Sequence, residues 1–255
     1  VAILTGGAGM LGGQYTRTLL NAGATVVVAD QRGGDARNMA DAAMQEVGGN
    51  AIGWELDVRS KEAVEHMAQA VVKQCGRIDI LINNAAIDPK LDRDLADKLA
   101  NTFEEYPLDL WQKSLDVNLT GALLCCQSVG KVMLSQERGV IVNVCSTYGI
   151  VAPDQRLYRR EGEAEQKLFK PVAYAVTKAG IAHLTRYLAA YWAGRGIRVN
   201  TLTPGGVYSG AQDEEFVARY SARTPLGRMA STQEMNGAML FLVSDASSYM
   251  NGANL

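Results

Sequence analysis

Histidine and cysteine are scarce in this 255-residue chain, with two of the first and four of the second. Cys75, Cys125, Cys126 and Cys145 show no Cys-x-x-Cys spacing, and His66 and His183 stand far apart. The ligand spacing of a zinc site and the framework of a disulfide-stapled fold are both excluded, so no metal is expected. The thiols read as reduced packing residues. An excess of one charge is also missing, because 25 Lys and Arg face 27 Asp and Glu for a net charge of −2. That balance offers no basic footprint for nucleic acid and no attraction to an anionic membrane. No apolar run approaches the roughly 20 residues of a membrane span, and no signal peptide is evident, so a cytoplasmic protein is expected. No linker rich in Pro, Gly or Ser divides the chain, and neither a repeat nor a low-complexity tract occurs. A single domain over residues 1–255 is therefore expected. The first residue is Val1 rather than Met and the last, Leu255, lies in an apolar segment, which suggests further residues at both ends.

Hydrophobic residues make up 47% of the chain, enough for a large core. Short β-branched runs at 1–5, 25–30, 51–56, 78–82, 140–145 and 197–203 read as strands buried on both faces. Amphipathic stretches at 10–21, 61–75, 108–135 and 173–193 read as the helices between them. Such alternation predicts an α/β doubly wound parallel sheet with helices on both faces, a Rossmann fold. Two segments break the pattern. Residues 88–106 are polar, and residues 152–171 carry Arg156, Arg159, Arg160, Lys167 and Lys170. Both read as insertions, either solvated loops or, for the second, a lid able to meet an anionic group.

Thr5-Gly6-Gly7-Ala8-Gly9-Met10-Leu11-Gly12 follows the first predicted strand and opens a helix. Glycines there let backbone N–H groups at a helix N-terminus approach a pyrophosphate. Asp30 ends the second strand, eighteen positions beyond Gly12, where a carboxylate can accept hydrogen bonds from ribose hydroxyls and repel a 2′-phosphate. NAD is therefore expected over NADP, although Arg32 stands close enough to bind such a phosphate.

Tyr174 and Lys178 form a Tyr-x-x-x-Lys pair on one helix face, Ser146 sits just past the fifth strand, and Asn118 interrupts an apolar helix. Carbonyl reduction needs a proton at oxygen while hydride reaches carbon. A free phenol, with a pKa of about 10, is poorly matched to that task at neutral pH. A lysine cation one turn away is expected to pull it down. Ser146 would steady the substrate oxygen, and Asn118 would hold a water linking Lys178 to solvent.

With these residues in place the chain resembles the short-chain dehydrogenase/reductase family over essentially its whole length. The landmarks are residues 5–12, Asp57-Val58, Asn83-Asn84-Ala85-Ala86, Val117-Asn118, Ser146, Tyr174 with Lys178, and Pro204-Gly205. The resemblance implies a catalytic tetrad of Asn118, Ser146, Tyr174 and Lys178. It implies cofactor contacts from Gly6, Gly9, Met10, Leu11, Gly12, Asp30, Gln31, Asp57, Val58, Asn84, Ala85 and Ala86, with Tyr174, Lys178, Pro204, Gly205 and Val207 at the nicotinamide end. A small-molecule substrate and a homo-oligomer, dimer or tetramer, are implied as well. Two departures matter. Met10 replaces a usual glycine, so that Gly6, Gly9 and Gly12 follow the spacing of the longer sugar-nucleotide branch, and Ala86 replaces another glycine. The twenty-eight positions from Ser146 to Tyr174 exceed the family's usual spacing because of the 152–171 insertion. Several local runs look similar to bacterial oxidoreductases of flagellin modification and nonulosonic sugars, which makes an acidic or phosphorylated sugar derivative the substrate class to test first. The alternatives are an epimerase or dehydratase that retains its NAD and a non-catalytic NAD(H)-sensing scaffold.

Overall fold

The computed structural model describes residues 1–88, 102–159, 162 and 164–255. Six parallel strands, β1 (Ala2–Thr5), β2 (Thr25–Asp30), β3 (Asn50–Glu55), β4 (Ile80–Asn83), β5 (Gly139–Val144) and β6 (Ile197–Leu202), form one sheet in the order β3-β2-β1-β4-β5-β6. Alternate residues serve opposite faces. Ile3, Val27, Leu81 and Ile141 pack under α3 (Lys61–Cys75), α5 (Gly121–Gln136) and the end of α6 (Val172–Tyr191). Their neighbours Leu4, Val28, Ile82 and Val142 pack under α1 (Met10–Asn21), α2 (Gly33–Val47) and α8 (Asn236–Val243). Two covered faces explain why the strands are apolar throughout rather than alternating. The expected α/β doubly wound fold is the one observed.

The chain runs outward from β1 to β3 and then returns to β4 on the other side of β1. Ligands of open α/β sheets settle where the order reverses, outside the carboxyl ends of the strands. Here Thr5 of β1 and Asn83 of β4 stand side by side at that reversal.

Helices α1 and α3 have the bounds expected for them. Ser60 caps α3 by accepting a hydrogen bond from the Ala63 N–H at 3.1 Å, and Gly76 ends it at φ +79°. The expected helix 108–135 is instead α4 (Leu108–Leu115), a π-helical turn (Asp116–Thr120) and α5. That whole stretch, Leu108–Gln136, is long and apolar enough by length and composition to cross a membrane, contrary to expectation. Half of its most apolar window is nevertheless buried within the fold, where Cys125, Cys126, Val129 and Met133 join the core. Helix α7 (Glu214–Ala222) follows β6. Of the two insertions, residues 89–101 and 160, 161 and 163, Arg160 among them, lie outside the described residues.

Candidate active site

A cleft of about 400 Å³ opens at the strand-order reversal. It is lined by Gly6, Gly9, Met10 and Leu11 of the glycine loop, Asp30 and Gln31 after β2, Asp57 and Val58 after β3, and Asn84, Ala85 and Ala86 after β4. Arg32, the possible phosphate partner, and Val117 complete the lining with Leu56 and Ile87, which residue typing alone did not single out for it. Gly6 holds φ +62°, and a Cβ there would stand 2.8 Å from the Ala85 Cα, so only glycine lets the loop pass the end of β4. Gly12 has a different duty. It is buried in α1 and absent from the cleft lining, and a Cβ on it would lie 2.3 Å from the Gly6 carbonyl oxygen. It permits the close seating of helix on loop.

The cleft suits a dinucleotide on its own geometry. Gly9, the N-cap of α1, brings no side-chain acceptor, so the first-turn N–H groups are available to phosphate oxygens. The Asp30 carboxylate accepts from the backbone N–H of Ala8 and of Arg32, each at 3.2 Å, which fixes it at the far end of the loop. Asn84 stitches rather than reaches out, since its Nδ2 donates to the carbonyls of Thr5 and Gly6 at 3.2 and 3.0 Å. The Asp57 carboxyl is held low by the Arg59 guanidinium, 2.7 Å away, against the opposing effect of burial. Pro204, Gly205 and Val207 lie beyond β6 and outside this cleft. The Pro204 carbonyl accepts from the Thr147 N–H at 3.1 Å, which joins that loop to the one bearing Ser146.

Ser146 follows β5 and caps a 3₁₀ turn (Thr147–Gly149), its Oγ accepting from the Tyr148 N–H at 3.2 Å. Tyr174 and Lys178 occupy the first half of α6, which packs tightly on that turn, because a Cβ at Gly149 would lie 2.6 Å from the Lys178 carbonyl carbon. Lys178 is only 4% exposed, and its Nζ donates to the Val144 carbonyl at 2.7 Å. Burial brings its pKa down to about 8, with Cys145 and Asp88 opposing.

The expected depression of Tyr174 by Lys178 is not what the protein shows. Burial pushes the phenol up to about 12, the Asp88 charge adds to the rise, and the Ser146 hydroxyl works against it. The ammonium lies 5.8 Å from the phenol ring centroid and is turned toward the Val144 carbonyl, so desolvation outweighs attraction. In this state Tyr174 is a protonated donor, suited to reduction. Forming the phenolate for oxidation requires more positive charge in the site.

Asn118 is buried and held by three hydrogen bonds. Its Oδ1 accepts from the Ile87 N–H at 2.7 Å, and its Nδ2 donates to the Ile87 carbonyl at 2.9 Å and to Thr177 Oγ1 at 3.1 Å. These bonds use both N–H donors and one of the two lone pairs of the Oδ1. Asn118 clamps the segment after β4 to α6, and the π turn that carries it supplies the reach.

Four further residues, Asp88, Tyr148, Tyr158 and Lys170, gather about Tyr174. Lys170 Nζ lies 4.2 Å from the Tyr174 ring centroid and 5.7 Å from that of Tyr148, and it is ion-paired with Asp88. The Tyr158 hydroxyl donates to that of Tyr148 at 3.1 Å. The only signal for these residues was their place in or beside the two insertions.

Comparison with known proteins agrees with this arrangement. The family model described as Enoyl-(Acyl carrier protein) reductase matches residues 7–255. D-threitol dehydrogenase of Mycolicibacterium smegmatis is 34% identical over 262 residues, covering 100% of this chain and 90% of that protein. The structure of an NAD+-bound xylitol dehydrogenase superposes with a TM-score of 0.86 at 27% identity, covering 100% of this chain and 95% of its own. A gluconate 5-dehydrogenase from Burkholderia cenocepacia, in complex with NADP and tartrate, gives a TM-score of 0.84 at 30% identity, covering 100% and 91%. The chain therefore belongs to the short-chain dehydrogenase/reductase family and is a nicotinamide-dependent alcohol/ketone oxidoreductase.

Proposed function

We propose that the protein interconverts a secondary alcohol and a ketone on a neutral, polyhydroxylated carbon chain, using NAD(H). The observation that carries this reading is the convergence of Tyr174, Ser146 and Lys178 in a site beside a cleft whose far end is closed by the Asp30 carboxylate. When bound, the oxidised nicotinamide supplies a hydride acceptor and a positive charge. Tyr174 gives its proton to the substrate oxygen in reduction and takes it back in oxidation. Ser146 holds that oxygen by a hydrogen bond, and Lys178 keeps a cation beneath the pair.

The preference for NAD rests on Asp30, whose carboxylate opposes a 2′-phosphate. Arg32, the residue that would welcome that phosphate, is drawn to Asp35 at 3.0 Å and lies 3.8 Å from Asp30 itself. The neutral substrate rests on charge pairing in the insertion. Arg156 binds Asp154 at 2.9 Å, Arg223 approaches the same carboxylate at 3.3 Å, and Lys170 is paired with Asp88. Arg156 and Lys170, two of the insertion cations that would have met an acidic or phosphorylated sugar, are thus ion-paired within the protein. Polyol dehydrogenases among the relatives support the same class. The reading includes a cytoplasmic enzyme that self-associates through α4–α6, where Val176, Tyr187 and Tyr191 are exposed. Sedimentation showing only monomer would remove that part.

The test is NADH absorbance across a panel of polyols, ketoses and aldonates with both nicotinamide cofactors, in the wild type and in Tyr174→Phe. A turnover loss of about 10²–10⁴-fold with an unchanged circular dichroism spectrum is expected. Normal turnover by the variant overturns the reading.

A further inference from the structure

We propose that Asp88 and Lys170 form a charge filter in the substrate site, admitting neutral hydroxyl-bearing chains beside Tyr174 and turning away anionic ones. The inference rests on the function proposed above and names how the site would choose its substrate. Both residues come from segments foreign to the sheet-and-helix alternation. Asp88 lies shortly after β4, and Lys170 ends the stretch that separates Ser146 from α6.

The pair is built in place. Lys170 is held at its backbone, where its N–H donates to Gln155 Oε1 at 2.7 Å and its carbonyl accepts from Gln155 Nε2 at 3.3 Å. Its side chain is 11% exposed and that of Asp88 35%, so this is not a pair of long side chains waving in water. The ammonium lies over the Tyr174 ring at 4.2 Å from the centroid. The Asp88 carboxylate is among the charges felt by Tyr174, Lys178 and Tyr148, so its field falls on the reacting groups.

A substrate oxygen at the Tyr174 hydroxyl therefore brings its neighbouring carbons next to this pair. Carboxylate oxygens only accept and ammonium protons only donate, whereas a hydroxyl does both, so an ion pair can satisfy hydroxyls on adjacent carbons. A carboxylate or phosphate at the same place meets the like charge of Asp88, while the countercharge of Lys170 is already answered. Discrimination then comes from a repulsive element as well as an attractive one. Without the Asp88 charge, the repulsion that an anion meets beside the catalytic phenol is removed.

The experiment compares kcat/KM for xylitol, gluconate and cyclohexanol in the wild type, Asp88→Asn, Lys170→Met and Lys170→Arg, with NADH binding by fluorescence as the check on folding. For Asp88→Asn, which preserves side-chain size, the gluconate-to-xylitol ratio should rise about ten-fold or more. For Lys170→Met, the xylitol-to-cyclohexanol ratio should fall about ten-fold, and Lys170→Arg should restore most of it. An unchanged gluconate-to-xylitol ratio in Asp88→Asn, or an equal loss on xylitol and cyclohexanol in Lys170→Met, overturns the filter and leaves the proposed function standing. A wild type that oxidises gluconate in preference to xylitol, or neither compound, overturns the proposed substrate class and the filter with it.

Discussion

Replacing Asn118 by leucine separates two duties the residue could have. The side chain is 2% exposed and satisfies both the N–H and the C=O of Ile87, at 2.7 and 2.9 Å. Leucine fills a similar volume yet leaves those two backbone groups without partners. An unsatisfied buried group costs about 1–3 kcal/mol, and Ile87 is only half-buried, so a loss of about 2–4 kcal/mol is expected. With a urea slope of about 3 kcal/mol/M, the unfolding midpoint should fall by about 1 M. Ile87 also lines the cleft, so the KM for NADH should rise along with the loss of stability. Urea denaturation followed by Trp fluorescence, paired with steady-state kinetics, reads both. An unchanged midpoint with kcat alone diminished would refute the clamp and return Asn118 to service as a holder of water.

Three other outcomes are expected. Because burial brings Lys178 to about 8 from its ordinary 10.5, the unfolded chain binds more protons between those values. Stability should therefore climb as pH rises through that window, and the part due to Lys178 should vanish in Lys178→Met; parallel melting curves for the two proteins would contradict this. In Gly12→Ala the added carbon would sit 2.3 Å from the Gly6 carbonyl oxygen and 2.7 Å from that of Gly7, both fixed backbone, for a cost of about 3 kcal/mol or more. A melting temperature equal to the wild type would contradict it. Asp30→Asn keeps an acceptor for the Ala8 N–H while removing the charge, so the NADPH-to-NADH ratio of kcat/KM should rise about ten-fold or more; an unaltered ratio would discount the carboxylate as the selector.

Much of the architecture was legible because strands buried on both faces leave an unmistakable apolar run, and because Ser60 and Gly76 mark the ends of α3. Helix α8 was harder to read. Its Asn-Gly-Ala-Met-Leu-Phe-Leu-Val is apolar nearly all round, so no amphipathic period distinguishes it from a buried strand. Helix α2 opens with Gly33-Gly34, residues that ordinarily read as a turn. In the site, residue types and order brought out the tetrad and the cleft-lining loop. They did not reveal that the Tyr174 phenol is raised rather than lowered, since burial is a property of the packed fold. Nor did they show that Asn118 bonds both backbone groups of Ile87, or that Lys170, over the Tyr174 ring, pairs with Asp88 eighty-two positions away.

The π turn between α4 and α5 has a consequence for which changes this stretch can tolerate. Each residue of a regular helix advances the winding by about 100°. Deleting one residue within Asp116–Thr120 would let the helix run on without interruption, yet it would swing α4 by that angle relative to α5. The carboxamide at 118 would then face away from Ile87, or Cys125 and Val129 would leave the core. Conservative replacements within this helix are therefore milder than any change in its length.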